Sequence, residues 1–186
     1  MPETLYKVLA EDGAPHHGGS GRWHLPRGTR PGKWMPKITD VEPCHRGYHV
    51  CRPDQVIQWL GPTIWTVEVR GAVIDHGDKL VVGEARLLAK CDHWNDRTAR
   101  LFAAACARDV LPIFERAYPG DDRVRRCIET VEAFARGEVD KTVLAAVRAA
   151  AWDASAAARA AAWARQTRRL LHLLATGDVL QEVPDA

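Results

Sequence analysis

The chain has 186 residues, with 26 Lys and Arg against 24 Asp and Glu and a formal net charge of +2, a balance that gives no global drive toward nucleic acid or an anionic membrane. No apolar run approaches the ~18 residues needed to span a bilayer, and the Met-Pro-Glu-Thr opening is unlike the basic, apolar start of a signal peptide. Five cysteines in no regular framework fit a reducing compartment better than a disulfide scaffold, so the expected location is cytoplasmic.

Composition divides the chain. Five of the seven Trp precede Asn95, while beyond it the sequence is rich in Ala and Arg, with Pro only at Pro112, Pro119 and Pro184. The expected class is α+β: a small mixed β-sheet in an N-terminal domain over residues 1–91, and a C-terminal three-helix bundle over 92–186.

In chain order, Leu5 to Leu9, LYKVL, reads as a first strand and Glu11-Asp12-Gly13 closes it with turn chemistry. His16 to Lys37 has no period and reads as a long loop, which Trp23 and Trp34 mark as ordered. A Gly-Tyr-His-x-Cys turn over Gly47 to Cys51 leads into a short helix opened by Pro53-Asp54, with Val56, Ile57 and Leu60 on one stripe, and Gly61-Pro62 ends it. Ile64 to Val69 is a β-branched strand, Asp75 to Gly77 a turn, and Leu80 to Val82 with Ala85 to Leu88 one or two more strands. The expected N-terminal core is Tyr48, Trp59, Leu60 and Trp65 with Leu5 and Val67. Helix one runs from an Asn95 or Asp96 cap to about Tyr118 with Leu101, Ala105, Val110, Ile113 and Phe114 apolar; helix two runs from Asp121-Asp122 to Gly137 with Val124, Ile128, Val131 and Phe134 inward; a third follows Asp140 to Gly177.

Four patterns carry candidate chemistry. Cys44, His49 and Cys51, with Cys91 and His93 downstream, are enough soft ligands for zinc, but the spacing is not that of paired C-x2-C knuckles, and ordinary buried thiols with a hydrogen-bonded His account for it as well; no metal is expected. In the third helix Arg148-Ala-Ala-Ala-Trp152 recurs 11 residues later as Arg159-Ala-Ala-Ala-Trp163, close to three turns, so both pairs return to one face. That repeat is either drift in an Ala-rich helix or a partner-binding stripe of Arg148, Trp152, Arg159 and Trp163. Lys141, Arg148, Arg159, Arg165, Arg168 and Arg169 form a basic run facing only Asp153, readable as a solvated face or as a phosphate contact. His16-His17-Gly18-Gly19-Ser20 lacks the Lys of a phosphate loop.

Three resemblances add to this. The segments LYKVL, PGKWMP, CHRGYHVC and WLGPTIWTVEVRG resemble uncharacterised phage and actinobacterial proteins with a Gly-aromatic-His-x-Cys segment. RTARLFAAACARDVLPIFERAYPGDDRVRRCIETVEAFARGEV is similar to the helical proteins called putative immunity proteins. More distantly, the succession LYKVL, GYHVCRPDQVIQWL, IWTVEVRG and KLVVGEARLL resembles the element order of ADP-ribosyltransferases, which would imply nicotinamide dinucleotide as cofactor and a site drawn from His49, Tyr48, Glu68 and Glu84. The chain departs from that pattern at Tyr6 and Lys7 in the first strand, and at Lys79, near where a catalytic Glu is wanted.

The expected function is a non-enzymatic binding or inhibitor protein, cofactor-free, acting in phage-host or toxin-immunity conflict by occluding a protein partner. A transferase-like enzyme using NAD is the alternative, with nucleic-acid binding through the basic last helix third and no membrane partner.

Overall fold

The structure is a computed structural model that describes residues 3–144 and 159–179. The chain divides into two compact units, Met1–Asp92 and His93–Ala186. Strands and a sheet belong to the first and helices to the second, so the α+β class holds.

Four strands build the first unit: β1 (Leu5–Leu9), β2 (Tyr48–Val50), β3 (Thr63–Asp75) and β4 (Leu80–Lys90). Their order is β1-β3-β4-β2, and every pairing is antiparallel, where strands of both senses were expected. The short turn between Asp75 and Leu80 makes the β3–β4 pair antiparallel, because a parallel neighbour needs a crossover of a dozen or more residues. The sheet curls until its edges meet: Tyr6 and Cys51 exchange two backbone hydrogen bonds of 2.8 Å, joining β1 to the end of β2. Closure of this kind removes exposed edges.

Side chains of one strand phase fill the interior, where Leu9, Trp23, Val50, Trp65, Val67, Leu80, Val82, Ala85 and Leu87 form a buried cluster with Leu5, Met35, Tyr48 and Val69 packed against it. Trp65, Val67, Tyr48 and Leu5 are thus where the sequence puts them. Trp59 and Leu60 are only half-buried and stand outside that cluster. Trp23 takes the place expected for Trp59, with its ring edge-on to Tyr48 at 5.6 Å between centroids. The long loop is ordered for a specific reason: the amides of Gly32, Met35 and Ile38 donate to the carbonyls of Leu87, Ala85 and Gly83 at 2.9 Å, satisfying the stretch of β4 that lies beyond β2. Gly32 permits this approach, since a Cβ there would lie 1.9 Å from the His24 carbonyl oxygen.

A 3-10 turn, Val56–Trp59, replaces the expected short helix, with Val56 and Ile57 buried. It is tied to the β3–β4 turn through Gln55, whose carboxamide accepts from the Arg52 amide at 2.9 Å and donates to the Gly77 carbonyl at 2.8 Å. The Trp59 indole donates to the Asp78 carbonyl at 2.9 Å.

In the second unit, α1 (Asp96–Ala117), α2 (Arg123–Arg136) and α3 (Arg159–Thr176) are helical, as are residues 141–144. Asn95 caps α1 in a reciprocal box with Thr98. Gly137, at φ 81°, ends α2 in the left-handed conformation that glycine adopts freely. The buried face of α1 is Phe102, Ala104, Ala105 and Leu111, not the phase of Val110 and Ile113; Ile113 is 43% exposed. Ala104 and Leu111 pack on Ile128 of α2. Paired forks join the helices: Arg108 to Glu132 at 2.6 and 2.8 Å, and Arg169 of α3 to Asp109 of α1 at 2.6 and 3.1 Å. The Arg169 residue is fully buried there.

Candidate functional site

Alternation along β2 sorts the Gly-Tyr-His-x-Cys segment. Successive strand residues point to opposite faces, so Tyr48 and Val50 pack on the interior while His49 turns outward, and Cys51, on the same phase, follows it. His49 and Cys51 open onto a cleft of about 410 Å³, counted with its mouth, also lined by Lys7, Val8, Pro15, His16, His17, Gly18, Trp59 and Lys79.

Each wall is fixed by local structure. Lys7 comes from β1, and its ammonium donates across the closing seam to the His49 carbonyl at 2.9 Å, 5.2 Å from the Trp23 ring centre. The Lys79 side chain is 8% exposed, with Nζ 3.5 Å from an Asp78 oxygen and 4.8 Å from the Trp59 ring centre. Asp78 also faces His76 Nδ1 at 3.1 Å. The His17 ring reaches the Trp59 carbonyl at 2.7 Å, holding the glycine-rich loop over the 3-10 turn. Gly61 leaves the room that His16 occupies, because a Cβ at that position would come within 2.5 Å of the His16 ring.

The electrostatics follow from a cationic, partly dry enclosure. Burial lowers the Lys7 pKa to about 8. Burial first, then the ammoniums of Lys7 and Lys79, holds the His49 imidazole below its ordinary value. Burial pushes the Cys51 thiol up to about 11, so it is protonated and a poor nucleophile at neutral pH. The arrangement is suited to receiving negative charge and poorly suited to thiolate chemistry.

The four transferase candidates are not brought together. Tyr48 points inward and its hydroxyl donates to the Pro36 carbonyl at 2.7 Å. Glu68 pairs with Arg86 at 2.5 Å and lies beside Arg70 at 3.7 Å, both guanidiniums stacking on Trp34. On β4, Glu68 is opposite Arg86 and His49 is opposite Val81; five residues of strand separate these points by about 16 Å. Glu84, opposite Arg70, does not line the cleft either.

The proposed metal ligands are also dispersed. Cys44 is exposed in a turn at φ 66°, and the Cys91 thiol, raised to about 11 by burial, sits past the end of β4. His93 belongs to the helical unit, where its ring reaches the Leu174 carbonyl at 3.3 Å. Among the described residues no group of three or more His, Cys, Asp or Glu could hold a metal ion.

Of the Arg/Trp stripe, Arg148 and Trp152 lie outside the described residues, as does Asp153; Arg159 and Trp163 fall on α3, but their side chains are not among those described. Arg169 leaves the basic run, since it is buried on Asp109. Sequence reasoning missed Lys7 and Lys79 as cleft residues, although both had been singled out as departures from the transferase pattern.

Residues 89–177 match the model of the family described as Imm-5 like putative immunity protein. The helical unit is therefore similar to an immunity-protein family. Neither a curated protein nor a solved structure matches the chain. Among the described residues no helix is long and apolar enough to cross a membrane.

Proposed function

We propose that the chain is a binding or inhibitor protein, not an enzyme, that acts in phage-host or toxin-immunity conflict by occluding a protein partner through its helical unit. The observation that carries this is the immunity-family match over residues 89–177, which spans α1, α2 and α3. Exposed apolar side chains support it: Tyr118 is 60% exposed and Ile113 43%, both toward the C-terminal end of α1, and aromatic anchors of this kind dominate protein interfaces. The Arg148, Trp152, Arg159 and Trp163 stripe is the second part of the proposed surface. The NAD-dependent alternative is weaker because the cleft that holds His49 has no carboxylate among the described residues of its lining, whereas such chemistry needs one to stabilise developing positive charge. Nucleic-acid binding through the last helix loses Arg169 to its buried pair.

The test is crosslinking capture with the tagged full chain in its native cells, followed by reconstitution with the purified captured protein. A complex that suppresses the partner's activity is expected, weakened about tenfold or more by Tyr118→Ala or by Arg148→Glu with Arg159→Glu. A partner whose activity is unchanged under saturating chain would overturn the inhibitor reading.

A further inference from the structure

We propose that the cleft of the first unit is a binding site for a small phosphate-bearing molecule, with Lys7 and Lys79 as its charge partners and His16 at its rim. The inference concerns Met1–Asp92 alone and stands or falls independently of partner binding by the helical unit.

Charge accounting carries the argument. Two lysines, His16, His17 and His49 line the cleft, and among the described residues no Asp or Glu does. Lys79 is more than nine-tenths buried, and its one carboxylate neighbour, Asp78, is shared with His76 and stands 3.5 Å away. Lys7 has no carboxylate partner among the described residues; its ammonium carries three donors, and its one hydrogen bond is to the His49 carbonyl. Half-burying a cation without a counter-charge is costly, and the protein registers that cost in the lowered proton affinity of Lys7. An oxyanion placed between the two ammoniums would supply the missing acceptors and the missing charge together.

Size and valence select the class. The cleft is narrow, its 410 Å³ including the open mouth, so it suits one compact anionic group held between the lysines and excludes an extended polymer. A phosphate monoester is close to a dianion near neutral pH, which matches two lysines better than a carboxylate does. His49, held neutral, offers a hydrogen bond without adding charge. A second concave basic surface, the loop of Arg27, Arg30 and Lys33, is open and its cations are exposed; it serves as the internal comparison.

The experiment is calorimetry on the full chain with inorganic phosphate, pyrophosphate, AMP and NAD as separate probes, at two salt concentrations. At least one probe should bind at about one per chain with Kd below about 1 mM, and more weakly at high salt. Lys79→Met and His16→Ala should each lower affinity by about fivefold or more, while Arg27→Glu with Arg30→Glu leaves it unchanged. His16 is an exposed loop residue, so its variant keeps the test valid if Lys79→Met fails to fold. Preference for phosphate or AMP over NAD identifies a monoester site, and preference for pyrophosphate or NAD identifies a diphosphate one. No binding by any probe up to about 10 mM, or binding lost with the Arg27/Arg30 pair and retained in Lys79→Met and His16→Ala, overturns the proposal.

Discussion

Lys7 is an ammonium that the fold would hold more comfortably as an amine. Its pKa falls from 10.5 to about 8 on folding, with burial the cause and the Cys51 thiol a small opposing influence. Between those values the unfolded chain binds more protons than the folded one, so stability rises with pH across that window. The penalty is fully present below about pH 8 and amounts to a few kcal/mol on an order-of-magnitude scale. Cys51 and Cys91, raised to about 11 by burial, act the other way above pH 9, where their unfolded forms ionise first. The window between pH 8 and 9 is therefore the cleanest for Lys7. Lys7→Met should raise the urea midpoint at pH 7, and its advantage over the parent should shrink by pH 9; a constant advantage would show that Lys7 does not titrate with folding. The same residue shows what the sequence could not reveal. A lysine in a strand at a sheet edge reads as a solvated side chain, and only the closing of β1 onto Cys51 turns it into a half-buried one.

At the scale of elements, β1 and the bounds of α1 and α2 were legible because local patterns set them: the Glu11-Asp12-Gly13 turn for the strand's end, Asn95 and Gly137 for helix ends. The choice between Trp23 and Trp59 for the core was not. Trp59 lies one turn from buried Val56 and Ile57, yet its indole is drawn out to the Asp78 carbonyl, while Trp23 enters from a loop with no period to announce it. Trp65→Ala should accordingly cost about 3–5 kcal/mol, and Trp59→Ala clearly less, measured by chemical denaturation of both variants; equal losses would contradict the division between core and cleft. Gln55 fastens the 3-10 turn to the strand turn that carries Lys79, and it is 3% exposed. Replacing it by Ala leaves the Gly77 carbonyl and the Arg52 amide unanswered, for about 1–3 kcal/mol. In the helical unit, Asp109→Ala removes the carboxylate that a fully buried guanidinium pairs with and should cost about 3–5 kcal/mol, whereas exchanging both Asp109 and Arg169 for apolar residues should cost far less. A double-mutant denaturation cycle separates these outcomes.

For the whole molecule, the change in composition near Asn95 marks the passage from strands to helices, because Gly and Pro serve turns and close approaches while Ala serves helix interiors. The family match begins at residue 89, within β4, and continues to the end of α3. If His93–Ala186 folds by its own contacts, a fragment of those residues should show helical circular dichroism and a cooperative melt. A broad, non-cooperative transition would mean that the helices depend on the rest of the chain.

The seam between Tyr6 and Cys51 has a consequence in time. Two hydrogen bonds close it, against the long β3–β4 ladder on the far side, and the Lys7 ammonium adds a third strut across the same gap. Amide deuteration should therefore be fast at Tyr6 and Cys51 and slow at Val67 and Leu87, with the seam acting as the zipper by which the sheet breathes. Because the cleft floor straddles that zipper, an anion held there would be felt first as a delay in isotope uptake at the two amides of the seam.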